Sequence, residues 1–511
     1  MGRKILFVTT DQQRYDALGC NGGRIARTPV IDALARQGLR YTRAHANSVV
    51  CQPARSSILT GQYSRTHGVT MNGMELPHSA PSVAEHLRQH GYRTALIGKA
   101  HFDPLMDPAA RFAETKLCVS GATGPLRGFE HAVLGTHTVQ GWLHYALHMR
   151  QNHAEMCDGF YKVIDPATLD VNGEGGGDTG AVQVKHNPVP RELYHTDWVA
   201  DQTIAWLNSL DAEADWFCWL SFPDPHHPWD PPQSELHRVP WRELDTPAGY
   251  LPPGQAERVL AGKPRQWLDW YNGKLITNFE APPNWVPGAM TADQLREVDA
   301  MNHIENELMD EALGRVMQTI RAKGWDADTD VIWTADHGEL QGDFGLLFKG
   351  PYHCDALMRL PMVWRPAPSA QVAPAEIHAP VQQVDLAPTF CAIAGVPVPE
   401  TMQGRAMPLS DATATRDWSL TEWDSNLRNI EQHLRTVYLA DSGHQWVATF
   451  YEKGSIHDGS EGELYDLSED PLQHHNRFHD DASRLVRERL RDLLREHLPP
   501  QGPQLQRLTP V

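Results

Sequence analysis

Short apolar runs alternate with longer amphipathic segments over most of the chain. The apolar runs have the length of buried strands and end at polar or turn-forming residues. A helical period is clearest at residues 299–322. Because strands alternate with helices, we expect an α/β fold with a large mixed, mostly parallel sheet sandwiched by helices. The predicted strands are residues 5–9, 94–97, 216–222, 330–334 and 361–364.

The pattern changes near residue 410, which predicts a domain boundary there. Residues 1–410 are expected to form the large α/β domain, and residues 411–511 a smaller α+β domain with an antiparallel sheet. In the smaller domain we expect strands at residues 446–451 and 463–467 and an amphipathic helix at 482–497. A Pro- and Gln-rich tail follows the helix, and we expect it to be free to dock on a partner subunit.

Two long segments have the composition of loops. Residues 165–192 are rich in Gly, Asp and Pro, and residues 223–290 are rich in Pro and Trp. Their length is typical of loops that cover a site. For the tryptophans of the second segment we favour packing within the loop, with the lining of a substrate entrance as the alternative. These are Trp229, Trp241, Trp267, Trp270 and Trp285.

Composition and charge narrow the classes of function. The 511 residues include 64 acidic side chains against 45 Lys and Arg, a formal net charge of −19. That balance argues against a general nucleic-acid binder, which needs a basic face. The seven cysteines are scattered, odd in number and without CxxC spacing. We therefore expect neither a disulfide framework nor a cysteine-based zinc site.

The N-terminal segment helps to predict the cellular compartment of the protein. Its apolar run at residues 5–8 is too short for the core of a signal peptide. No run in the chain approaches the ~18 apolar residues of a membrane span. We therefore expect a cytoplasmic protein with no membrane interaction.

The segment from Cys51 to Gly61 carries the clearest chemical signal. Pro53 suits the first turn of a helix, and Gly61 suits its C-terminal end. Cys51 would then lie at a helix N-terminus, where backbone N–H groups favour an anion. Arg55, one turn later, adds a fixed cation. By itself the pattern is also compatible with a buried structural cysteine.

Several ordered motifs extend this signal. The opening strand ends at Asp11, and Cys51-x-Pro-x-Arg55 follows about 40 residues later. With these motifs the chain resembles the sulfatase branch of the alkaline phosphatase superfamily over nearly its whole length. The other motifs that carry the resemblance are residues 28–35, 61–63, 91–101, 225–228, 334–338 and 463–467.

The resemblance implies how residue 51 acts. In sulfatases a maturation enzyme oxidises this cysteine to formylglycine, whose aldehyde hydrates to a geminal diol. One diol oxygen attacks the sulfur of a small-molecule sulfate ester and displaces the alcohol. The second hydroxyl then loses its proton, and the adduct collapses to release sulfate and regenerate the aldehyde. The covalent sulfo-enzyme intermediate therefore breaks at carbon–oxygen, which avoids a second attack at sulfur.

The resemblance also implies one divalent metal ion. Its ligands would be Asp11, Gln12, Asp336 and His337, together with residue 51. Typical sulfatases have Asp-Asp and Asp-Asn at these positions, an all-oxygen shell suited to Ca²⁺. Here the pairs are Asp-Gln and Asp-His, which favour Mn²⁺ or Zn²⁺, with Ca²⁺ as the alternative. These pairs resemble those of the phosphonate monoester hydrolases, close relatives of the sulfatases.

Other positions point back to the sulfatases. Lys99 and His101 match a sulfatase Lys-x-His pair in which the lysine binds the sulfate and the histidine takes the diol proton. His226 would bind the sulfate or assist the leaving oxygen, and Lys349 would stabilise the leaving group. Asn72 matches an asparagine that contacts the transferred group in the phosphonate hydrolases.

We therefore predict a sulfuric ester hydrolase of the arylsulfatase type. The alternative is a phosphonate monoester hydrolase or phosphodiesterase with the same nucleophile, and cross-activity is expected. A non-catalytic relative is disfavoured, because the chain keeps the whole set of reactive residues. Aryl, sugar and alkyl alcohols all stay open as the leaving group. Family habit and the tail also predict a homo-oligomer, a dimer or tetramer.

Overall fold

The computed structural model describes residues 2–164, 170–276, 278 and 280–509 of the chain. Its centre is an eight-stranded sheet in the order β12-β2-β11-β9-β1-β8-β4-β5. The strands of this sheet are β1 (Lys4–Thr10), β2 (Leu39–Tyr41), β4 (Arg93–Gly98), β5 (His131–Leu134), β8 (Trp216–Ser221), β9 (Thr329–Ala335), β11 (Met362–Arg365) and β12 (Ala375–Ile377). Smaller sheets contain β3 (Ala44–His45), β6 (Gly175–Gly176), β7 (Ala181–Val182), β10 (Arg359–Leu360) and β13 (Val381–Gln382).

Strand direction in the large sheet confirms the predicted fold class. β1 runs parallel to both β8 and β9, and β4 runs parallel to β5 and β8. β11 is antiparallel to its neighbours β9 and β2. The five strands predicted from apolar runs all belong to this sheet, and none of their ends differs by more than one residue.

Helices cover both faces of the sheet, because successive residues of a strand point to opposite sides. On β1, Leu6 and Val8 join one apolar cluster, while Ile5 and Phe7 join another. The helices are α1 (Pro29–Gln37), α2 (Cys51–Thr60), α3 (Ser64–His67), α4 (Val83–Gln89), α5 (Ala113–Val119), α6 (His144–Asn152), α7 (His195–Ser209), α8 (Gln255–Ala261), α9 (Gln266–Tyr271), α10 (Ala292–Ala322), α11 (Asp355–Met358) and α12 (Leu386–Ala394).

Helix α10 is longer at its start than the apolar period predicts. It begins at Ala292 because Thr291 and Gln294 form a capping box: the Thr291 side chain accepts from Gln294 N, and the Gln294 side chain accepts from Thr291 N. The sequence contains this Thr-x-x-Gln signal, but it lies before the apolar repeat. The sequence therefore predicted the helix correctly but placed its start at residue 299 instead of Ala292.

The two predicted loop segments contain only short elements. Residues 165–169 lie outside the described residues, and the rest of the first segment contains the β6–β7 ribbon. The second segment contains α8, α9 and short 3-10 turns. Trp229, Trp267 and Trp270 are fully or almost fully buried, which confirms packing as their role.

The C-terminal region forms the expected small antiparallel domain. Its sheet has the order β14-β15-β16-β17, and every neighbouring pair is antiparallel. Leu490 and Leu494 of the last helix pack on one face of the sheet. The boundary near residue 410 stays a prediction. The elements are β14 (Trp418–Leu427), β15 (Ile430–Asp441), β16 (His444–Tyr451), β17 (Gly462–Asp466) and α13 (Arg484–His497).

The tail after α13 is not free, contrary to the expectation above. It returns to its own chain, where Gly502 N donates to Arg65 O at 2.7 Å and Leu508 N donates to Gly73 O at 2.7 Å. Arg507 forms an antiparallel bridge with Met74. The sequence could not show this, because backbone hydrogen bonds of this kind leave no residue pattern.

Within the described ranges, no helix combines the length and the apolar composition needed to cross a membrane.

Candidate active site

Four parallel strands bring the predicted site residues to one edge of the sheet. Asp11 directly follows the last paired residue of β1, and Asp336 directly follows that of β9. Asp336 N donates to Thr10 O at 3.1 Å. Lys99 follows β4, and its backbone N donates to Ser221 O at the end of β8 at 3.0 Å. The carboxyl ends of parallel strands are where α/β sheets place their sites.

The close packing at this edge needs a glycine at the end of β4. Gly98 has a φ of 108°, and a Cβ there would lie 1.8 Å from Ser221 O. Any other residue would push β4 away from β8. Gly98 therefore allows Lys99 to approach the other strand ends.

Asp11, Cys51, Asp336 and His337 form a buried cluster of potential metal ligands. One ligand atom from each lies within 4.8 Å of the others. Cys51 Sγ lies 3.1 Å from His337 Nε2 and 3.6 Å from Asp11 Oδ1. His337 Nε2 is 3.9 Å from Asp11 Oδ1 and 3.8 Å from Asp336 Oδ1. These separations suit donors around one ion with bonds of about 2.0–2.2 Å. The residues present therefore fit a divalent metal.

The His337 ring is oriented to offer Nε2 to this cluster. Its Nδ1 lies 2.8 Å from Gly338 O, so Nδ1 carries the proton and Nε2 keeps a lone pair. Burial lowers the pKa of His337 to about 4. The ring is therefore neutral at pH 7, which is the form that binds a metal.

Helix α2 begins at Cys51, as the motif predicts, and is followed by Gly61, which adopts the left-handed conformation and caps the C-terminal end. Asn72 contributes at this helix start: its Oδ1 accepts from Gln52 N at 3.1 Å. The Gln52 side chain in turn accepts from Gly73 N at 2.8 Å. Asn72 thus satisfies a first-turn N–H next to residue 51.

Arg55 ties this helix to the sheet. Its Nε donates to Asp336 Oδ2 at 2.8 Å, and its Nη1 donates to Lys99 O at 2.7 Å and Ser221 Oγ at 2.8 Å. The side chain is fully buried. Its Nη2 has no hydrogen-bond partner among the described residues. One guanidinium nitrogen is therefore left for a further acceptor.

Lys99 pairs with Asp11, as its Nζ donates to Asp11 Oδ2. Burial alone would raise the pKa of the Asp11 carboxyl, but nearby cations, Lys99 foremost, hold it well below its usual value. Burial alone would lower the pKa of Lys99, but Asp11 raises it. Both groups are therefore charged at pH 7. Because Arg55 likewise balances Asp336, a divalent ion would give the site a net positive charge suited to an anionic ester.

His101 is buried and held in a left-handed backbone conformation, with a φ of 59°. Neither ring nitrogen has a partner among the residues that the structure describes. Glu114 fixes the turn: its Oε2 accepts from His101 N at 3.3 Å and its Oε1 from Phe102 N at 2.7 Å. Burial, with Lys99, lowers the pKa of His101 well below its usual value. The ring is therefore a neutral base.

Lys349 and His226 form a second group beside Cys51. Lys349 Nζ lies 2.9 Å from His226 Nε2 and donates to Gln12 Oε1 at 2.7 Å. It also lies 2.5 Å from Glu280 Oε2. Burial alone would lower the pKa of Lys349, but its anionic neighbours raise it above its usual value. Lys349 is therefore a charged donor.

The two polar atoms of the Gln12 amide contact different residues. Its Oε1 accepts from Lys349, and its Nε2 donates to Glu339 Oε2. Burial raises the pKa of Glu339 to about 7. Gln12 lies at the cluster, and in this structure its side chain links Lys349 to Glu339.

Sequence reasoning missed Glu114, Glu280 and Glu339, together with His137, whose ring stacks on His226 at 4.6 Å. Glu339 follows the Asp-His pair by two residues, so proximity to the motif could have found it. The others have no motif signal.

His67 and His353 are buried histidines with structural contacts. His67 Nε2 lies 3.1 Å from Ser57 Oγ, and His353 Nδ1 lies 2.6 Å from Thr436 Oγ1. Neither contact involves the ligand cluster.

Comparisons with known proteins agree with the sequence motifs. The sulfatase family profile matches residues 3–396. A profile described as N-sulphoglucosamine sulphohydrolase, C-terminal, matches residues 342–498. An arylsulfatase of Clostridium perfringens is 25% identical over 487 residues, which cover 93% of this chain and 89% of that protein.

Solved structures show the same fold. The phosphonate monoester hydrolase of Agrobacterium radiobacter superposes with a TM-score of 0.74 at 24% identity, covering 97% of this chain and 96% of that one. A protein in complex with its substrate D-glucosamine-2-N,6-O-disulfate superposes with a TM-score of 0.69 at 21% identity, covering 97% of both chains.

Proposed function

The chain belongs to the sulfatase family and is a sulfuric ester hydrolase, and from that premise we propose an arylsulfatase-type enzyme that uses formylglycine at position 51. The observation that carries the proposal is the position of Cys51. Its Sγ lies at a helix N-terminus, 3.1 Å from His337 Nε2 and 3.6 Å from Asp11 Oδ1. Burial raises the pKa of the Cys51 thiol, so an unmodified cysteine there is a poor nucleophile.

A maturation enzyme would convert Cys51 to formylglycine, whose hydrated form supplies an oxygen nucleophile and a covalent sulfo-enzyme intermediate. Arg55 supports this role, because its unpartnered Nη2 is a charged donor one helical turn from residue 51. We assign Arg55 to holding the oxygens of residue 51 and of the transferred group.

Lys99 and His101 act on the same group in this proposal. Lys99 is a buried charged donor that binds a sulfate oxygen when the ester arrives. His101 is a neutral ring with both nitrogens unpartnered among the described residues, and it takes the proton from the second hydroxyl of residue 51. The left-handed turn that holds His101 is consistent with a strained functional position.

His226 and Lys349 act on the leaving side. Lys349 is charged, and its Nζ lies 2.9 Å from His226 Nε2, so one of them can donate to the departing oxygen. Asn72 holds the start of the nucleophile helix through Gln52 N.

Asp11, Asp336 and His337, with Gln12 and residue 51 beside them, would hold one divalent ion. That ion would supply Lewis-acid stabilisation of negative charge. The nitrogen donor of His337 favours Mn²⁺ or Zn²⁺ over Ca²⁺.

A second candidate function is the hydrolysis of phosphonate monoesters or phosphodiesters. It is favoured by Gln12 and His337, which replace the residues typical of sulfatases. We weight Lys99 and His101 more heavily, because they act on the transferred group whereas the other two surround the ion.

The test of the nucleophile is turnover of 4-nitrophenyl sulfate with the state of residue 51 checked by peptide mass. Cys51→Ala should lower kcat by several orders of magnitude. Cys20→Ala, a half-buried cysteine away from the site, is the matched control and should keep the rate. Turnover retained by Cys51→Ala would overturn the formylglycine proposal.

A further inference from the structure

A carboxylate lies in the active centre that the proposed mechanism does not use. One ligand atom each of Glu280, His226 and Cys51 lies within 4.8 Å of the others. The Glu280 side chain is only 12% exposed. It comes from the covering segment, residues 223–290, and lies outside the strands of the large sheet.

The backbone of Glu280 is fixed on both sides. Its N donates to Asn278 Oδ1 at 2.8 Å, and its O accepts from Gln183 Nε2 at 2.9 Å. Gln183 also binds His227, with Oε1 2.6 Å from Nδ1. The position of the carboxylate is therefore built into the covering segment.

The two oxygens of Glu280 differ in their contacts. Oε2 lies 2.5 Å from Lys349 Nζ, 3.2 Å from His227 Nε2 and 3.5 Å from His226 Nε2. Oε1 has no hydrogen-bond partner in the part of the chain that the structure describes. One oxygen thus holds the leaving-group lysine, and no described residue donates to the other, which is left for a further donor.

A negative charge in this place works against an anionic ester. Burial alone would raise the pKa of Glu280, but Lys349 holds it well below its usual value, so the group is ionised. A carboxylate beside the ester repels its charge and offsets part of the attraction of Lys349. A hydrogen-bond donor on the substrate that contacts Glu280 Oε1 would offset this repulsion.

We propose that Glu280 selects esters whose alcohol carries a hydrogen-bond donor, a hydroxyl or an ammonium, next to the esterified carbon. The inference rests on the proposed function, because Lys349 and His226 then place the leaving oxygen beside Glu280 Oε2. A donor on the neighbouring carbon reaches Oε1 of the same carboxylate. Glu280 is in this sense a specificity-determining residue.

The test compares two substrates of similar size, 2-hydroxyphenyl sulfate and 2-methoxyphenyl sulfate, which differ in the donor. The wild-type enzyme should prefer the hydroxyl compound in kcat/KM by about tenfold to a hundredfold, the range of a hydrogen bond to a charged group. In Glu280→Gln that ratio should fall at least tenfold. The ratio cancels any loss that both substrates share through a disturbed Lys349.

A third substrate and a control variant complete the experiment. A third substrate, 2-(aminomethyl)phenyl sulfate, presents an ammonium and separates a charged donor from a neutral one. Glu257→Gln removes an exposed carboxylate from the same covering segment and should leave every ratio unchanged. Preference for either donor substrate that is lost in Glu280→Gln supports the inference.

Results that contradict the inference can be distinguished from results that contradict the proposed function. A wild-type enzyme that hydrolyses these sulfates but shows no preference for a donor overturns the inference alone. The same holds if Glu280→Gln keeps the wild-type ratio. If Glu280→Gln fails to fold, Glu280→Ala replaces it in the same comparison, and an unchanged ratio in that variant overturns the inference. A wild-type enzyme with residue 51 matured that hydrolyses no sulfate ester overturns the proposed function as well.

Discussion

Arg55 and Asp336 form a fully buried ion pair, with Arg55 Nε 2.8 Å from Asp336 Oδ2. The pair joins α2, which begins at residue 51, to the strand end that is followed by His337. It therefore fixes the nucleophile relative to half of the ligand cluster. Its partners are 281 positions apart in the sequence.

Arg55→Gln should lower both stability and turnover. The substitution leaves Asp336 without its charge partner, and breaking a buried pair in this way costs about 3–5 kcal/mol. Urea unfolding measures the loss, and kcat with an aryl sulfate should fall by orders of magnitude in the folded fraction. Arg88→Gln breaks an exposed pair with Glu85 and should change neither. An Arg55→Gln enzyme as stable as the wild type would contradict this account of the pair.

The metal identity depends on His337. We expect one Mn²⁺ or Zn²⁺ per chain in metal analysis of the purified enzyme, and loss of activity after chelation. His337→Asn restores an all-oxygen shell and should shift the bound metal toward Ca²⁺. Stoichiometric Ca²⁺ in the wild-type enzyme would show that the nitrogen donor does not set the preference.

The tail should act on the active site of its own chain. Gly73 has a φ of 85°, and a Cβ there would lie 1.9 Å from Thr509 O, so Gly73→Ala displaces the tail. The same loop carries Asn72, which holds the start of α2. We expect kcat to fall on the order of tenfold, since small misplacements of reacting groups are costly. Gly91→Ala, with a φ of 92° and open space around the Cβ, is the control for backbone strain.

Deletion of residues 499–511 distinguishes a role of the tail in its own active site from a role in forming an oligomer. Reduced kcat with an unchanged mass in solution supports its action within the chain. A lower mass would support the oligomer predicted from the sequence. Full activity after the deletion would contradict a role of the tail in positioning the site.

Acid should weaken the junction between the two domains. His45 Nδ1 lies 2.9 Å from Ser419 Oγ, and His353 Nδ1 lies 2.6 Å from Thr436 Oγ1. Burial lowers the pKa of both rings to about 3. The unfolded chain therefore binds more protons below pH 6.5, so stability falls with decreasing pH down to about pH 3.

Each of these histidines contributes up to about 1.4 kcal/mol of lost stability for each pH unit in that window. The measurement is urea unfolding at pH 7 and pH 5. His353→Gln cannot titrate and should show a shallower dependence than the wild type. An equal pH dependence in the variant would mean that His353 is not kept neutral by the fold.

The sequence predicted five of the eight strands of the large sheet and missed the short strands β2, β5 and β12. Apolar runs predict strands, and polar residues at their carboxyl ends meet in a parallel sheet, so Asp11 and Asp336 could be placed together. Lys99 was assigned through the resemblance to the sulfatases. The helix at Cys51 followed from Pro53 and Gly61.

The contacts made by covering segments could not be predicted. Glu280 contacts Lys349 from a segment that lies outside the regular sheet, and no periodicity encodes that contact. Glu114 acts through backbone N–H groups at His101, which any sequence offers. The tail on Gly73 is held in the same backbone-mediated way.

The most direct test of the account is one comparison on one preparation, with formylglycine at position 51 checked by peptide mass. It measures kcat/KM for 4-nitrophenyl sulfate, 4-nitrophenyl phenylphosphonate and bis(4-nitrophenyl) phosphate. We predict a preference for the sulfate of about a hundredfold, ~2.7 kcal/mol at the transition state, because Lys99 and His101 act on the transferred group. A preference for the phosphorus esters would contradict the account and assign the chain to phosphonate or phosphodiester hydrolysis with the same nucleophile.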